Sequence, residues 1–318
     1  ATIALDTTTN AFTGAVTITT NDNSGTDADV TIDGGTTALI LAASTIDGDL
    51  TVSNGNSITD SGTVTVGGNL AATTDANNGL INLGTLAVDG TVALTTNGSG
   101  NATVVNDAGL NFAASTVGGN LAATATTGNM TDSGALAITG TTTLTTSANN
   151  ATIALDTTTN AFTGAVTITT NDNSGTDADV TIDGGTTALI LAASTIDGDL
   201  TVSNGNSITD SGTVTVGGNL AATTDANNGL INLGTLAVDG TVALTTNGSG
   251  NATVVNDAGL NFAASTVGGN LAATATTGNM TDSGALTIAG TSSFTTSANN
   301  ATIALDTTTN AFTGAVTI

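Results

Sequence analysis

The chain repeats itself over a long period. Residues 151–300 reproduce residues 1–150 with five substitutions, and residues 301–318 begin a third copy. A single globular core does not need identical copies, whereas a solenoid tolerates them because each turn only has to fit its neighbours. The repetition therefore predicts two solenoid repeat units, 1–150 and 151–300, and the start of a third at 301–318. The third copy stops mid-pattern, so we expect a window of a longer array.

A shorter motif recurs inside each unit. A glycine is followed by alternating apolar residues and then by Thr or Ser, and this alternation predicts a β-strand with one face buried. The segment 42–62 also resembles the segment 113–134, so each unit consists of two diverged halves of about 75 residues. The motif begins six times in the first unit, at Gly14, Gly48, Gly68, Gly90, Gly119 and Gly140.

A second landmark predicts the size of one turn. Six short apolar segments per unit are each followed closely by Asp or Asn, at intervals of 23 to 28 residues. We expect these corner Asx residues to stack from turn to turn. Turns of about 25 residues predict a three-sided coil of about 13 turns, an all-β parallel β-helix with strands about 4.8 Å apart. The segments begin near Ile3, Val30, Ile58, Ile81, Val104 and Met130.

The amino-acid alphabet excludes most chemistry. All 25 acidic residues are Asp, and the chain has no Glu, Lys, Arg, His, Cys, Pro, Trp or Tyr. The usual general bases, nucleophiles and ligands for zinc or redox metals are therefore missing, which predicts a protein that is not an enzyme and requires no cofactor. Without basic residues we expect no nucleic-acid partner, and without a long apolar run no membrane span.

Calcium is the one ligand that the composition favours. The loop Asn21–Asp29 concentrates Asp and Asn side chains around Gly25, and oxygen-rich loops of this kind suit Ca²⁺. The alternatives are a solvated loop, and corner Asp residues that each cap their own turn through a local hydrogen bond. The candidate ligands in the two copies are Asp22, Asp27, Asp29, Asp172, Asp177 and Asp179.

Two runs resemble a known family. The run STVGGNLAATATTGNMTDSGALAITGTTTL (Ser115–Leu144) and the run NAFTGAVTIT (Asn10–Thr19) resemble the β-helical repeats of filamentous haemagglutinin-type adhesins. The resemblance covers nearly the whole chain. It implies a right-handed parallel β-helix, secreted by a Gram-negative bacterium and displayed at the cell surface.

The leading functional expectation is structural. We expect a stiff spacer or surface-layer scaffold within a long extracellular bacterial fibre, with self-association into or within filaments. The alternative is an adhesin whose repeats contact a host cell, a neighbouring cell, a glycan or a sister filament. Rows of outward Thr and Ser suggest a third possibility, an ice-binding surface.

Overall fold

The computed structural model describes residues 2–21, 27–76, 78–171 and 177–318. Within those ranges the regular secondary structure is entirely β, with no helix. The abundance of Thr, Val and Ile explains the strands, and the Gly, Asn and Asp between them explain the turns. The chain forms two compact units, Ala1–Thr157 and Thr158–Ile318.

The first unit contains strands of three to eight residues: β1 (Ile3–Leu5), β2 (Val30–Asp33), β3 (Leu39–Leu41), β4 (Ser44–Ile46), β5 (Leu50–Asn54), β6 (Ile58–Asp60), β7 (Val64–Val66), β8 (Leu70–Thr74), β9 (Ile81–Val88), β10 (Thr91–Thr95), β11 (Ala102–Asn106), β12 (Leu110–Phe112), β13 (Ser115–Val117), β14 (Leu121–Ala125), β15 (Met130–Asp132), β16 (Leu136–Ile138), β17 (Thr142–Asn149) and β18 (Ile153–Leu155).

The second unit contains strands of two to eight residues: β19 (Ala161–Phe162), β20 (Val166–Asn171), β21 (Val180–Asp183), β22 (Leu189–Leu191), β23 (Ser194–Ile196), β24 (Leu200–Asn204), β25 (Ile208–Asp210), β26 (Val214–Val216), β27 (Leu220–Thr224), β28 (Ile231–Val238), β29 (Thr241–Thr246), β30 (Ala252–Asn256), β31 (Leu260–Phe262), β32 (Ser265–Val267), β33 (Leu271–Ala275), β34 (Met280–Asp282), β35 (Leu286–Ile288), β36 (Ser292–Thr296), β37 (Ile303–Ala304), β38 (Ala311–Phe312) and β39 (Val316–Thr317).

The strands of the first unit stack into two parallel ladders. The first ladder consists of β1, β2, β5, β8, β10, β12 with β13, β15 with β16, and β18. The second ladder consists of β3 with β4, β6 with β7, β9, β11, β14 and β17. Each turn of the chain therefore adds one rung to each ladder.

The parallel β-solenoid of about 13 turns is confirmed. Among the described residues, the first ladder has seven steps within the first unit and six within the second. Strand alternation explains why the stack is stable. In β5, for example, Leu50 and Val52 are buried while Thr51 between them is exposed. Each fully buried aliphatic side chain contributes roughly 1.5 to 3 kcal/mol.

The predicted length of a turn was wrong, because successive turns are about 21 residues apart rather than 25. The prediction treated Val30 and Ile58 as equivalent positions of neighbouring turns. In the structure Val30 pairs with Leu50 on the first ladder, whereas Ile58 pairs with Leu39 on the second. The apolar segments occur on both ladders, so the spacing between them along the sequence is not the length of a turn.

Candidate functional site

The predicted calcium loop lies only partly within the described residues. Asp22 and Asp172 are outside them. Asp27, Asp29, Asp177 and Asp179 are exposed at the corners that precede β2 and β21. In the part of the chain that the structure describes, no group of three or more acidic side chains is arranged to hold a metal ion. Calcium binding therefore stays a prediction.

Asp29 instead begins a series of hydrogen bonds that runs from turn to turn. Its Oδ1 accepts the backbone N–H of Asp49 at 3.0 Å. Asp49 Oδ1 accepts the backbone N–H of Asn69 at 2.7 Å and its side-chain amide at 3.1 Å. Asn69 Oδ1 then accepts the backbone N–H and the hydroxyl of Thr91, both at 2.9 Å. Each of these side chains thus supports the turn that follows it.

The second unit repeats this series, and the second ladder has its own version. Asp179, Asp199 and Asn219 accept the corresponding backbone N–H groups at 2.9, 2.6 and 2.9 Å. Before β14 and β17, Asn101 Oδ1 accepts the N–H of Asn120 at 2.8 Å, and Asn120 Oδ1 accepts that of Thr141 at 2.9 Å. Both Asp and Asn accept a backbone N–H of the next turn at these corners, so the position requires an acceptor oxygen and not a charge.

Two other carboxylates serve neighbouring backbone and hydroxyl groups. Asp60 accepts the N–H groups of Gly84 and Thr85 and the Thr85 hydroxyl, at 3.1, 2.7 and 2.8 Å. Asp33 accepts the N–H of Gly35 at 2.7 Å and the Ser53 hydroxyl at 3.0 Å. Asp33 therefore caps its own turn, as one of the alternatives predicted, and also bonds to the next turn.

The single stack of corner Asx residues predicted from the apolar landmarks does not form. Asp33 lies opposite Ser53, Asp60 opposite Leu41 and Asp132 opposite Phe112. Asp33 and Asp60 reach the next turn individually, and Asp132 Oδ1 likewise accepts the N–H of Asp156 at 3.2 Å. The series that starts at Asp29 instead continues through the second position of the Gly-led motif. The signal was present in the sequence, since Asp, Asn and Thr dominate that position. The motif members are Asp49, Asn69, Thr91, Asn120 and Thr141.

Charge is kept away from the middle of the strands. Every Asp that the structure describes lies either outside the strands or at the last residue of one. The outward residues of the first ladder from β5 to β16 are small and uncharged, except for Asp132, which is half-buried at the end of β15. This surface, the first-ladder face, consists of Thr51, Ser53, Ala71, Thr73, Ala93, Thr95, Asn111, Thr116, Thr131 and Ala137.

A shallow polar groove recurs in both units. In the first unit it has a volume of about 290 Å³, and Asp89, Asn111, Asn129 and Thr131 contribute its polar side chains. The equivalent groove in the second unit has about 300 Å³. Asn111 Oδ1 is buried there and has no hydrogen-bond partner, and Asn261 Oδ1 is in the same condition.

The comparisons with known proteins agree with the repeats. A family model described as repeats of unknown function matches residues 27–78, 99–169, 177–233 and 249–318. The chain belongs to this family, DUF5649. One DUF5649 match begins in each half of a unit, and the equivalent matches of the two units begin 150 residues apart. No curated protein and no solved structure matches the chain.

The DUF5649 repeats and the two ladders together identify a repetitive β-helical protein. Since the described ranges contain no helix, none there is long and apolar enough to cross a membrane.

Proposed function

We propose that this chain is a structural region of a long extracellular bacterial fibre of the filamentous haemagglutinin type, acting as a stiff spacer or surface-layer scaffold. The observation that carries the proposal is the bonding between turns. Each turn meets the next through ladder hydrogen bonds and through corner side chains such as Asp49 and Asn120. A unit of this kind can be repeated without new kinds of contact, as a spacer requires.

The composition supports the same proposal. The chain has no Lys, Arg, His or Cys, so an assigned role must work without the side chains that most enzymes and nucleic-acid-binding proteins use. A formal net charge of −25 favours solubility of single fibres in an extracellular setting. Trypsin has no cleavage site in this alphabet, which suits a structure exposed to proteases.

The second candidate is an adhesin, and the groove beside Asn111 favours it. A buried amide oxygen without a partner costs free energy unless a ligand or water donates to it. Asp89 adds a carboxylate at the same place, and Asn129 Oδ1, which already accepts the N–H of Thr152 at 2.9 Å, lies beside it. A ligand rich in hydroxyl or amine donors, such as a glycan of a cell surface, matches this set of acceptors.

Two measurements on the 318-residue chain test these proposals. Small-angle X-ray scattering at low protein concentration should give the profile of an elongated, stiff particle if the chain is a spacer. A compact particle or a flexible coil contradicts that role. Binding of fluorescently labelled chain to cells or to immobilised glycans separates the two candidates. Saturable binding that is lost in an Asn111→Ala, Asn261→Ala variant would establish the adhesin.

A further inference from the structure

We propose that Asn97, with its copy Asn247, is a site of spontaneous deamidation that the fold selects from the three Asn-Gly pairs of each unit. In this reaction the backbone nitrogen of the glycine bonds to Cγ of the asparagine, and Nδ2 leaves as ammonia with the proton of that nitrogen. Water then opens the succinimide ring at either carbonyl carbon, which gives aspartate or isoaspartate. This reactivity belongs to the chain itself and does not depend on the proposed fibre function. The pairs of the first unit are Asn54-Gly55, Asn78-Gly79 and Asn97-Gly98.

The pair Asn54-Gly55 is protected by burial and by hydrogen bonds. Asn54 is fully buried, and its Nδ2 donates to the carbonyls of Thr37 and Ser57, both at 2.8 Å. The N–H of Gly55, which is also buried, donates to the carbonyl of Gly35 at 2.6 Å. The attacking nitrogen and the leaving group are therefore both held by hydrogen bonds, and burial keeps water away from the carbonyl carbons.

The pair Asn78-Gly79 shows that an exposed asparagine is not sufficient for the reaction. Asn78 is exposed, but its Oδ1 accepts the backbone N–H of Ser99 at 2.9 Å. The N–H of Gly79 is buried and donates to the carbonyl of Ala76 at 3.2 Å. Both hydrogen bonds must break before the Gly79 nitrogen reaches Cγ, which should slow the reaction at least about tenfold relative to a pair without them.

The pair Asn97-Gly98 has neither kind of protection. Both residues are exposed, and within the described ranges neither the Asn97 side chain nor the Gly98 N–H has a hydrogen-bond partner. The two residues lie in the turn between β10 and β11, where the N–H of Gly100 donates to the Asn97 carbonyl at 3.1 Å. That hydrogen bond closes the turn and leaves both reacting groups free.

The fold also requires the glycine that makes this pair reactive. Gly98 has a φ of +59°, in the left-handed region that glycine adopts without steric cost. A Cβ atom at this position would overlap Oδ1 of Asn78 in the neighbouring turn. A side chain at residue 98 would slow the attack of the backbone nitrogen, and the fold excludes one. The reactive sequence is therefore kept at this corner in each 150-residue unit.

The products alter a corner that bonds to the next turn. Aspartate adds a carboxylate to a chain whose formal net charge is already −25. Isoaspartate also inserts an extra carbon into the main chain beside Thr96. The Thr96 hydroxyl donates to the carbonyl of Gly100 at 2.7 Å and accepts the N–H of Gly118 at 2.9 Å.

Mass spectrometry on the full chain tests the proposal. Native chain and chain unfolded in urea are incubated in mildly alkaline buffer and cleaved with a protease that cuts before Asp, with unincubated samples as the background. The segments 49–59, 75–88 and 89–106 each contain one Asn-Gly pair, and the second unit yields the same three sequences. New cleavage before residue 97 reports aspartate, whereas an uncleaved segment of raised mass reports isoaspartate.

In the native chain, deamidation at Asn97 and Asn247 should be at least about tenfold faster than at the other pairs, because only there are both reacting groups free. In urea the three pairs should react at similar rates, since each is an Asn followed by a Gly. The control variant Asn97→Ser with Asn247→Ser should keep the native circular dichroism spectrum and lose the reaction in segment 89–106. Similar rates for the three segments in the native chain, or the same difference in rates before and after unfolding, would overturn the proposal.

Discussion

Two segments of similar sequence lie on opposite ladders. In the segment 44–60, β4 belongs to the second ladder and β5 to the first. In the segment 115–132, the equivalent β13 belongs to the first ladder and β14 to the second. The offset from Ser44 to Ser115 is 71 residues, or about three and a half turns at the observed spacing of about 21. Each half of a unit therefore begins half a turn further around the solenoid than the equivalent point of the previous half, so its strands fall on the opposite ladders.

The local geometry is the same despite the exchange of ladders. Ser44 Oγ accepts the N–H of Ile18 at 3.0 Å and donates to the carbonyl of Ala42 at 2.8 Å. Ser115 Oγ accepts the N–H of Leu94 at 3.0 Å and donates to the carbonyl of Ala113 at 2.9 Å. The comparison shows that the local sequence determines the hydrogen bonds of the corner, and that these are the same on either ladder. The two segments differ at particular residues. Substitutions at shared and at differing positions can show which side chains both segments need for stability and which only one of them needs.

The largest expected effect is one that both segments share. Leu50 and Leu121 are equivalent and are both fully buried. Replacing either with Ala should lower the free energy of unfolding by roughly 2 to 5 kcal/mol, because a cavity remains in a core that only the neighbouring turns can fill. Urea denaturation followed by circular dichroism measures the change, with the exposed neighbour Thr51→Ala as the control. A loss in one segment and not the other would contradict the equivalence of the two ladders.

The next effect should distinguish the segments. Asn54 is fully buried, and its amide donates to the carbonyls of Thr37 and Ser57, both at 2.8 Å. The equivalent residue is Ala125, which is also buried. Asn54→Ala should cost about 1 to 3 kcal/mol, since it removes donors from two carbonyl groups. The reverse change, Ala125→Asn, should also destabilise, because it forces a polar group into a filled site. If either variant melts like the unmodified chain, this position is not specific to its segment.

Much of the fold follows from the sequence. The length of a turn and the partners of the corner Asx residues do not, because the two halves of each unit are shifted by half a turn relative to each other. Alternation in motifs such as that after Gly48 correctly predicts which residues of β5 face the core. The length of a turn does not follow, because Val30 and Ile58 look equivalent in sequence and lie on different ladders. Side-chain bonds between turns, such as Asp49 to Asn69, depend on that register. A corner Asx residue is visible in the sequence, but its partner one turn away is not.

A smaller effect tests the role of the charge at the corners. Asp49 and Asn120 are equivalent, and each accepts a backbone N–H from the next turn. Asp49→Asn should therefore change the free energy of unfolding by less than about 0.5 kcal/mol, whereas Asp49→Ala should cost about 1 kcal/mol through the lost acceptor. Thermal melting of the two variants measures the difference. Equal losses in both would mean that the carboxylate itself is required, as a bound cation would demand.

The smallest expected effect comes from calcium, and it concerns the loop before β2 rather than the corner acceptors. Extracellular Ca²⁺ sites have dissociation constants near 1 mM, so about 1 mM Ca²⁺ should add only about 0.4 kcal/mol per site. For a repeat unit of this size that gain raises the melting temperature by about 1 to 2 °C. The comparison is between Ca²⁺ and a chelator at constant ionic strength.

Substitutions then locate the calcium effect. Asp27→Asn with Asp177→Asn should abolish the rise in melting temperature, because Asp27 and Asp177 are exposed loop carboxylates. Asp49→Asn with Asp199→Asn should retain it, because those oxygens already accept backbone N–H groups. Coincident melting curves for the unmodified chain with and without Ca²⁺ would eliminate the site. A rise that disappears in both pairs of variants would instead mean that cations act on the acidic corners as a whole.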